Sequence, residues 1–126
     1  MESTQRERIM RYVQDVYGTE AERLWARYPN YAVFRHPASG KRYAAVLDVP
    51  KDRLGLAGEG RADLLNVKCS PVLTGSLLSG NGFLPAYHMN KDTWISILLD
   101  GSVPDGQIAP LLGWSYDSAA PKPRRR

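Results

Sequence analysis

The densest cluster of chemically capable residues is His88-Met89-Asn90-Lys91-Asp92, set between an aromatic segment ending at Tyr87 and an apolar run beginning at Trp94. Imidazole titrates near neutral pH and an ammonium steadies a developing anion, so His88 could act as a general base with Lys91 beside it. A hydrolase also needs a nucleophile and a group to orient the base. Gly-x-Ser-x-Gly is absent, and neither Ser70 nor Ser102 lies in such a context, so no such constellation is complete. The reading that carries more weight is structural: His88 and Asn90 satisfy backbone groups at a tight turn before the strand. Ligand or phosphate contact by His88, Asn90 and Lys91 stays open as a third.

Other chemistries find less support. His36 and His88 lie 52 positions apart and Cys69 is the sole cysteine, which gives no metal-ligand spacing and no internal disulfide; no metal or other cofactor is expected. Gly-x-x-x-x-Gly-Lys-Ser/Thr does not occur, and Gly55-Leu-Ala-Gly-Glu-Gly60 lies between two strand-like runs instead of opening a helix. Trp25, Trp94 and Trp114 could stack on bases, but large aromatics in a short chain are expected in the core. Cys69 is read as a small buried hydrophobe, although Lys68 beside it could lower a thiol pKa.

The elements that must position these residues are legible in the pattern. Thr4 and Glu7 form a capping box, and Ile9, Val13 and Val16 recur at helical spacing until Gly18, predicting a helix over 4–17. Glu20 to Trp25 could add a helical turn before Tyr28-Pro29-Asn30. Tyr31–Arg35 and Arg42–Val49, joined by Pro37-Ala-Ser-Gly40, predict a β-hairpin, and Ala62–Lys68 a third strand. Ser70-Pro71 reads as an N-cap and first helical residue, with Val72, Leu73, Leu77 and Leu78 as an apolar face. Phe83–Tyr87 is extended, and Thr93–Leu99 is the strongest strand. A last helix should start near Pro104 with Ile108, Leu111 and Leu112 inward, and break or restart at Pro110, which removes a backbone hydrogen bond.

The length of 126 residues suits one domain, here 1–120, with 121–126 as a flexible basic tail. Apolar residues are 43% and charged residues 24%, values of a globular chain. No apolar run approaches the roughly 20 residues that cross a bilayer, and the first residues lack a secretory pattern, so a cytoplasmic location and no membrane partner are expected. The formal charge of +4 invites a nucleic-acid reading, but Lys122, Arg124, Arg125 and Arg126 supply the excess, leaving residues 1–121 neutral. Local asymmetry survives over 31–70, which carry a net +3. The acids and arginines of the first helix and its extension, Glu7, Asp15, Glu20 and Glu22 among Arg6, Arg8, Arg11 and Arg23, suggest salt-bridged solvation.

The stretch Gly82-Phe-Leu-Pro-Ala-Tyr-His-Met-Asn-Lys-Asp-Thr-Trp-Ile-Ser-Ile-Leu-Leu-Asp-Gly101 resembles the hallmark of the MmcQ/YjbR family. Tyr31-Ala-Val-Phe-Arg-His36 with Lys41 is similar to that family's first hairpin, Asn66-Val-Lys-Cys-Ser-Pro71 to its strand-to-helix junction, and Ser115-Tyr116 to the end of its last helix. The resemblance implies an α+β fold of CyaY-like (frataxin-like) architecture, an antiparallel sheet with helices on one face, also called a double wing. It carries Lys68, His88, Asn90, Lys91 and Trp94 over as motif residues without a catalytic role, and family members are generally labelled DNA-binding on the strength of their shape.

Two functions follow as expectations. The first is non-enzymatic DNA binding, with Arg35, Lys41, Arg42, Lys51, Arg53 and Lys91 on the phosphate backbone. The second is a small-molecule or protein-binding module with a cleft around Tyr87, His88, Asn90, Lys91 and Trp94.

Overall fold

The computed structural model describes residues 3–122, so the tail expected at 121–126 lies mostly outside the described residues. Its elements are α1 (Gln5–Tyr17), β1 (Ala32–Arg35), β2 (Arg42–Pro50), a 3-10 turn (Lys51–Leu54), β3 (Arg61–Lys68), α2 (Pro71–Leu77), β4 (Phe83–Pro85), β5 (Trp94–Leu98) and α3 (Asp105–Ala119). The expected capping box is present: Thr4 accepts from the Glu7 amide, the Glu7 carboxylate reaches back to Thr4, and Gly18 ends α1 at φ +65°. Ser70 caps α2 as its spacing predicts, accepting from the Leu73 amide.

The strands form one antiparallel sheet in the order β1-β2-β3-β5-β4. Alternation along each strand sends apolar side chains to both faces. On one face Phe34, Val46, Leu65, Val67, Ile95 and Ile97 meet Ile9 and Val13 of α1 and Ile108, Leu111 and Leu112 of α3. On the other, Val33, Ala45, Leu47, Val49, Leu64 and Leu98 are buried beneath loop residues instead of helices, among them Tyr31, Leu54, Leu56, Tyr87 and Met89, which are themselves only partly buried. Helices on one face of an antiparallel sheet are what the family resemblance implied. The second face, roofed by loops, is where a concavity can form.

Two polar side chains fasten the helical layer. Ser115 of α3 donates to the Tyr43 carbonyl of β2 and accepts from the Lys68 amide, 2.8 Å away, at the end of β3. Buried Gln5 donates to the Val103 carbonyl and to Asp105, each at 2.8 Å, and accepts from the Gly101 amide at 2.8 Å, tying the start of α1 to the β5–α3 connection.

Several expectations need correction. Glu20–Trp25 adds no helical turn; Glu22 exchanges both backbone hydrogen bonds with Val33, at 2.9 and 3.0 Å, and shields the β1 edge. α3 runs unbroken through Pro110. Both Pro110 and Gly106, whose carbonyl loses its partner, are exposed, so water can satisfy the orphan and the continuous helix costs little. Val72 is 86% exposed and does not join an apolar face. Trp25 and Trp114 are 39% and 58% exposed, outside the core that their size predicted for them. The salt bridging expected of α1 and its extension runs to other elements: Arg6 pairs with Asp63, Arg8 with Asp105 and Glu22 with Arg35.

Candidate functional site

A bulge in the β1–β2 pair sets up the site. Phe34 lies opposite Ala44 and Arg35 opposite Arg42, so Tyr43 is an extra residue in the register. Tyr43 and Ala44 consequently both pack on the helical side, and Arg42 turns to the loop-roofed face. There it borders a cavity of about 260 Å³ whose floor is Val33, Ala45 and Leu47 and whose walls include Trp25, Tyr28, Tyr31, Tyr87 and His88.

The walls are built from paired rings. Tyr28 stacks on Tyr31 with centroids 4.7 Å apart and planes 18° apart, and Trp25 meets Tyr31 edge-on at 6.1 Å. Tyr87 and His88 also line the cavity, with ring centroids 4.0 Å apart. His88 has φ +59°, a left-handed conformation that few non-glycine residues adopt and that concentrates at functional sites. Burial, and then the Tyr87 and Tyr28 phenols, push the Tyr31 phenol above its ordinary pKa.

Tyr87 is held from beneath. Asn66, fully buried in β3, donates to the Tyr87 carbonyl at 2.9 Å and accepts from Ser96 of β5, whose hydroxyl in turn accepts from the Tyr87 amide at 3.0 Å. The Tyr87 phenol close to the exposed Arg53 guanidinium raises the pKa of that arginine. The turn that follows is pinned as expected for Asn90, whose side-chain oxygen accepts from the Asp92 amide at 2.8 Å. Lys91 donates its ammonium to the Ala86 carbonyl at 2.9 Å.

The two sets of residues singled out in the sequence are thus divided. Of the motif residues, Tyr87 and His88 face the cavity, Asn90 and Lys91 shape the turn below it, and Lys68 lies opposite Trp94 across β3 and β5. Lys68 also borders a second cavity of about 410 Å³ with Cys69, Leu73, Leu111 and Trp114 on the helical side. Cys69 is buried, as expected. Of the six cations expected to meet phosphate, Arg35 is 3.0 Å from Glu22, Lys51 lies near enough to Asp100 to help lower its carboxyl, Arg53 is close enough to Tyr87 for the phenol to raise its pKa, and Lys91 is on a carbonyl. The Arg42 side chain makes no hydrogen bond or ion pair with any described residue, and the exposed Lys41 precedes it in the hairpin.

Sequence reasoning missed Trp25, Tyr28, Tyr31 and Asn66 as site residues. The signals were a proline loop dense in aromatics and one amide inside the apolar run Leu64-Leu-Asn-Val67. Among the described residues no helix is long and apolar enough to cross a membrane.

A family model described as YjbR matches residues 14–118. The chain is 42% identical over 111 residues to the Bacillus subtilis protein YyaQ, described as uncharacterized, covering 88% of this chain and 94% of that protein. It is 39% identical over 56 residues to Escherichia coli YjbR, covering 44% of this chain and 48% of the relative. A crystal structure of a Pseudomonas syringae protein superposes with a TM-score of 0.89 at 38% identity, covering 91% of this chain and 98% of its own. A Deinococcus radiodurans protein with a DUF419 domain shares the fold, with a TM-score of 0.60 at 21% identity over 82% of this chain and 72% of its own.

Proposed function

The chain belongs to the YjbR family, and from that premise we propose that it acts by binding, without catalysis, and takes a small molecule into the aromatic cavity on the open face of its sheet. One observation carries the reading: Arg42 borders a cavity walled by aromatic rings, and its side chain has no partner among the described residues. Ligand sites are concave and mainly apolar, with a few polar groups that fix orientation, and this cavity has that composition. The rigid sheet below and the Asn66–Ser96 anchor of Tyr87 hold the walls in place before a ligand arrives, which lowers the ordering that binding must overcome. A thermal-shift screen of metabolite-sized compounds, run on the wild type and on Trp25→Ala, tests it. Compounds that stabilise the wild type and not the variant support the site; a screen in which no compound separates the two proteins removes it.

DNA binding is the second reading, favoured by Lys41 and Arg42 standing next to each other at the exposed end of the hairpin. Under it the chain works as a cytoplasmic double-wing (CyaY-like) protein, and the hairpin lays these two cations on phosphates. The affinity is modest, because Glu22 already neutralises Arg35. An electrophoretic shift at low salt tests it, and the absence of a shift with duplex DNA would remove it.

A further inference from the structure

Resting on the cavity reading above, we propose that its ligand is a flat aromatic ring bearing one anionic group, with the ring against the aromatic walls and the anion on Arg42. Three features point to that class.

The first is the walls. Trp25 is 39% and Tyr28 44% exposed, so two of the largest apolar side chains in the protein stand open to water. Each sets its ring against Tyr31, through the edge-on and stacked contacts described above. Aromatic faces favour offset stacking and edge-to-face contact with a further ring, and such contacts add to plain area burial. A planar ligand entering here covers both exposed rings and also meets Tyr87 and His88.

The second is charge. No carboxylate lines the cavity. The strand arginines Arg35 and Arg61 are occupied, at 3.0 Å from Glu22 and 2.5 Å from Asp48. Arg35 and Arg42 face each other across the hairpin, a repulsive pairing for like charges, and Glu22 relieves only the first. The bulge at Tyr43 then delivers Arg42 to the cavity, and a guanidinium matches a carboxylate or phosphate bidentately.

The third is size. About 260 Å³ lies below the roughly 300 Å³ at which pockets for drug-sized ligands begin, which suits one or two fused rings. An aromatic carboxylate and a purine monophosphate share this chemistry.

Amide and indole NMR spectra of the full chain, with the Trp25 indole signal assigned through Trp25→Phe, test the proposal by titration. The probes are naphthoate and adenosine monophosphate, with naphthalenemethanol, cyclohexanecarboxylate and inorganic phosphate as controls. Saturable shifts at Trp25, Arg42 and Tyr87 are expected with naphthoate or the nucleotide, and the tighter of the two names the source. Arg42→Gln should weaken that binding by about tenfold or more and leave naphthalenemethanol unchanged. If naphthalenemethanol or cyclohexanecarboxylate binds as tightly as naphthoate, or Arg42→Gln changes nothing, this ligand class is overturned and the cavity reading stands. If no probe moves any of the three residues, this ligand class is overturned as well, and the thermal-shift screen on Trp25→Ala decides the cavity reading by itself.

Discussion

Asn66 and Ser96 face each other across the central strands β3 and β5, are hydrogen-bonded to one another, and hold the carbonyl and the amide of Tyr87 between them. Both are fully buried on a sheet that is otherwise apolar at its centre. Their role is to fix the backbone from which one wall of the cavity rises.

Asn66→Ala leaves the Tyr87 carbonyl without a partner and the Ser96 hydroxyl hydrogen without its acceptor, although Ser96 still accepts from the Tyr87 amide, and each buried orphan costs about 1 to 3 kcal/mol. Urea unfolding should therefore show a loss of about 2 to 4 kcal/mol. Ligand affinity should fall as well, since Tyr87 is released. A variant as stable as the wild type would show that the anchor is dispensable.

Gly82 is the tightest glycine in the fold. It has φ +91°, and an added Cβ would lie 2.6 Å from Val103 Cγ2 and 2.9 Å from Ser102 Cβ. Left-handed strain and overpacking act together in Gly82→Ala, which should lower stability by about 2 to 4 kcal/mol in the same assay. Gly40→Ala at the hairpin turn meets no atom within 4 Å and should lose only the part due to φ +74°.

Pro110→Ala should stabilise the protein. The substitution restores an amide that can donate to the Gly106 carbonyl inside α3 and removes the ring that crowds it. Because water already satisfies the exposed Gly106 carbonyl, and alanine frees the unfolded chain, a rise of no more than about 1 kcal/mol is expected from urea unfolding. A loss instead would show that the proline's restriction of the unfolded chain outweighs the restored hydrogen bond.

Acid should unfold the protein through a small set of carboxyls. Hydrogen bonds from Arg8 and Gln5 hold Asp105 below its ordinary pKa. For Asp48, burial acts upward, but hydrogen bonds from Arg61 and Asn30 outweigh it; for Asp100 those from Ser102 do the same. Groups lowered in the folded state bind fewer protons there than in the unfolded chain. Their stabilisation is complete above the ordinary carboxyl range near pH 4 and is lost as pH falls through the lowered values. Urea midpoints measured from pH 7 downward should be level and then drop, and Asp48→Asn should flatten the drop. An unchanged profile in that variant would exclude Asp48 as a contributor.

Alkali acts through Tyr17, pushed to about 12 by burial and then by Tyr12 beside it. A raised phenol favours the folded state below its ordinary pKa near 10, and that stabilisation is lost as pH rises from there to about 12. Tyr17→Phe should remove this part of the alkaline loss of stability, read from the urea midpoint between those values.

If the hairpin does meet DNA, the logarithm of the binding constant should fall linearly with that of salt, with a slope of about −0.9 per phosphate neutralised. A double substitution of Lys41 and Arg42 by glutamine should reduce the slope by about two phosphates, and an unaltered slope would place the contact elsewhere.

The local elements were legible because their causes are local. The Thr4–Glu7 box, the Gly18 stop, the hairpin turn before Lys41, the Ser70 cap and the helix from Asp105 each depend on a few adjacent residues. Family membership was legible for a related reason, since the motif from Gly82 to Gly101 is contiguous. The helical reading of Glu20–Trp25 failed because a backbone pairing with Val33 outweighed weak local propensity, and the break expected at Pro110 failed because exposure made the lost bond cheap.

The cavity had no such signature. Trp25, Arg42, Asn66 and Tyr87 meet only after the strands take their order and register and a one-residue bulge turns Arg42 from one face of the sheet to the other. Composition also put the tryptophans in the core and counted Arg35 and Arg42 as equivalent cations. Which ring stays open to water, and which guanidinium finds a carboxylate, depends on neighbours brought together from distant parts of the chain. The chain by itself therefore determined the segments and the family, and tertiary packing decided which of their side chains were left free to bind.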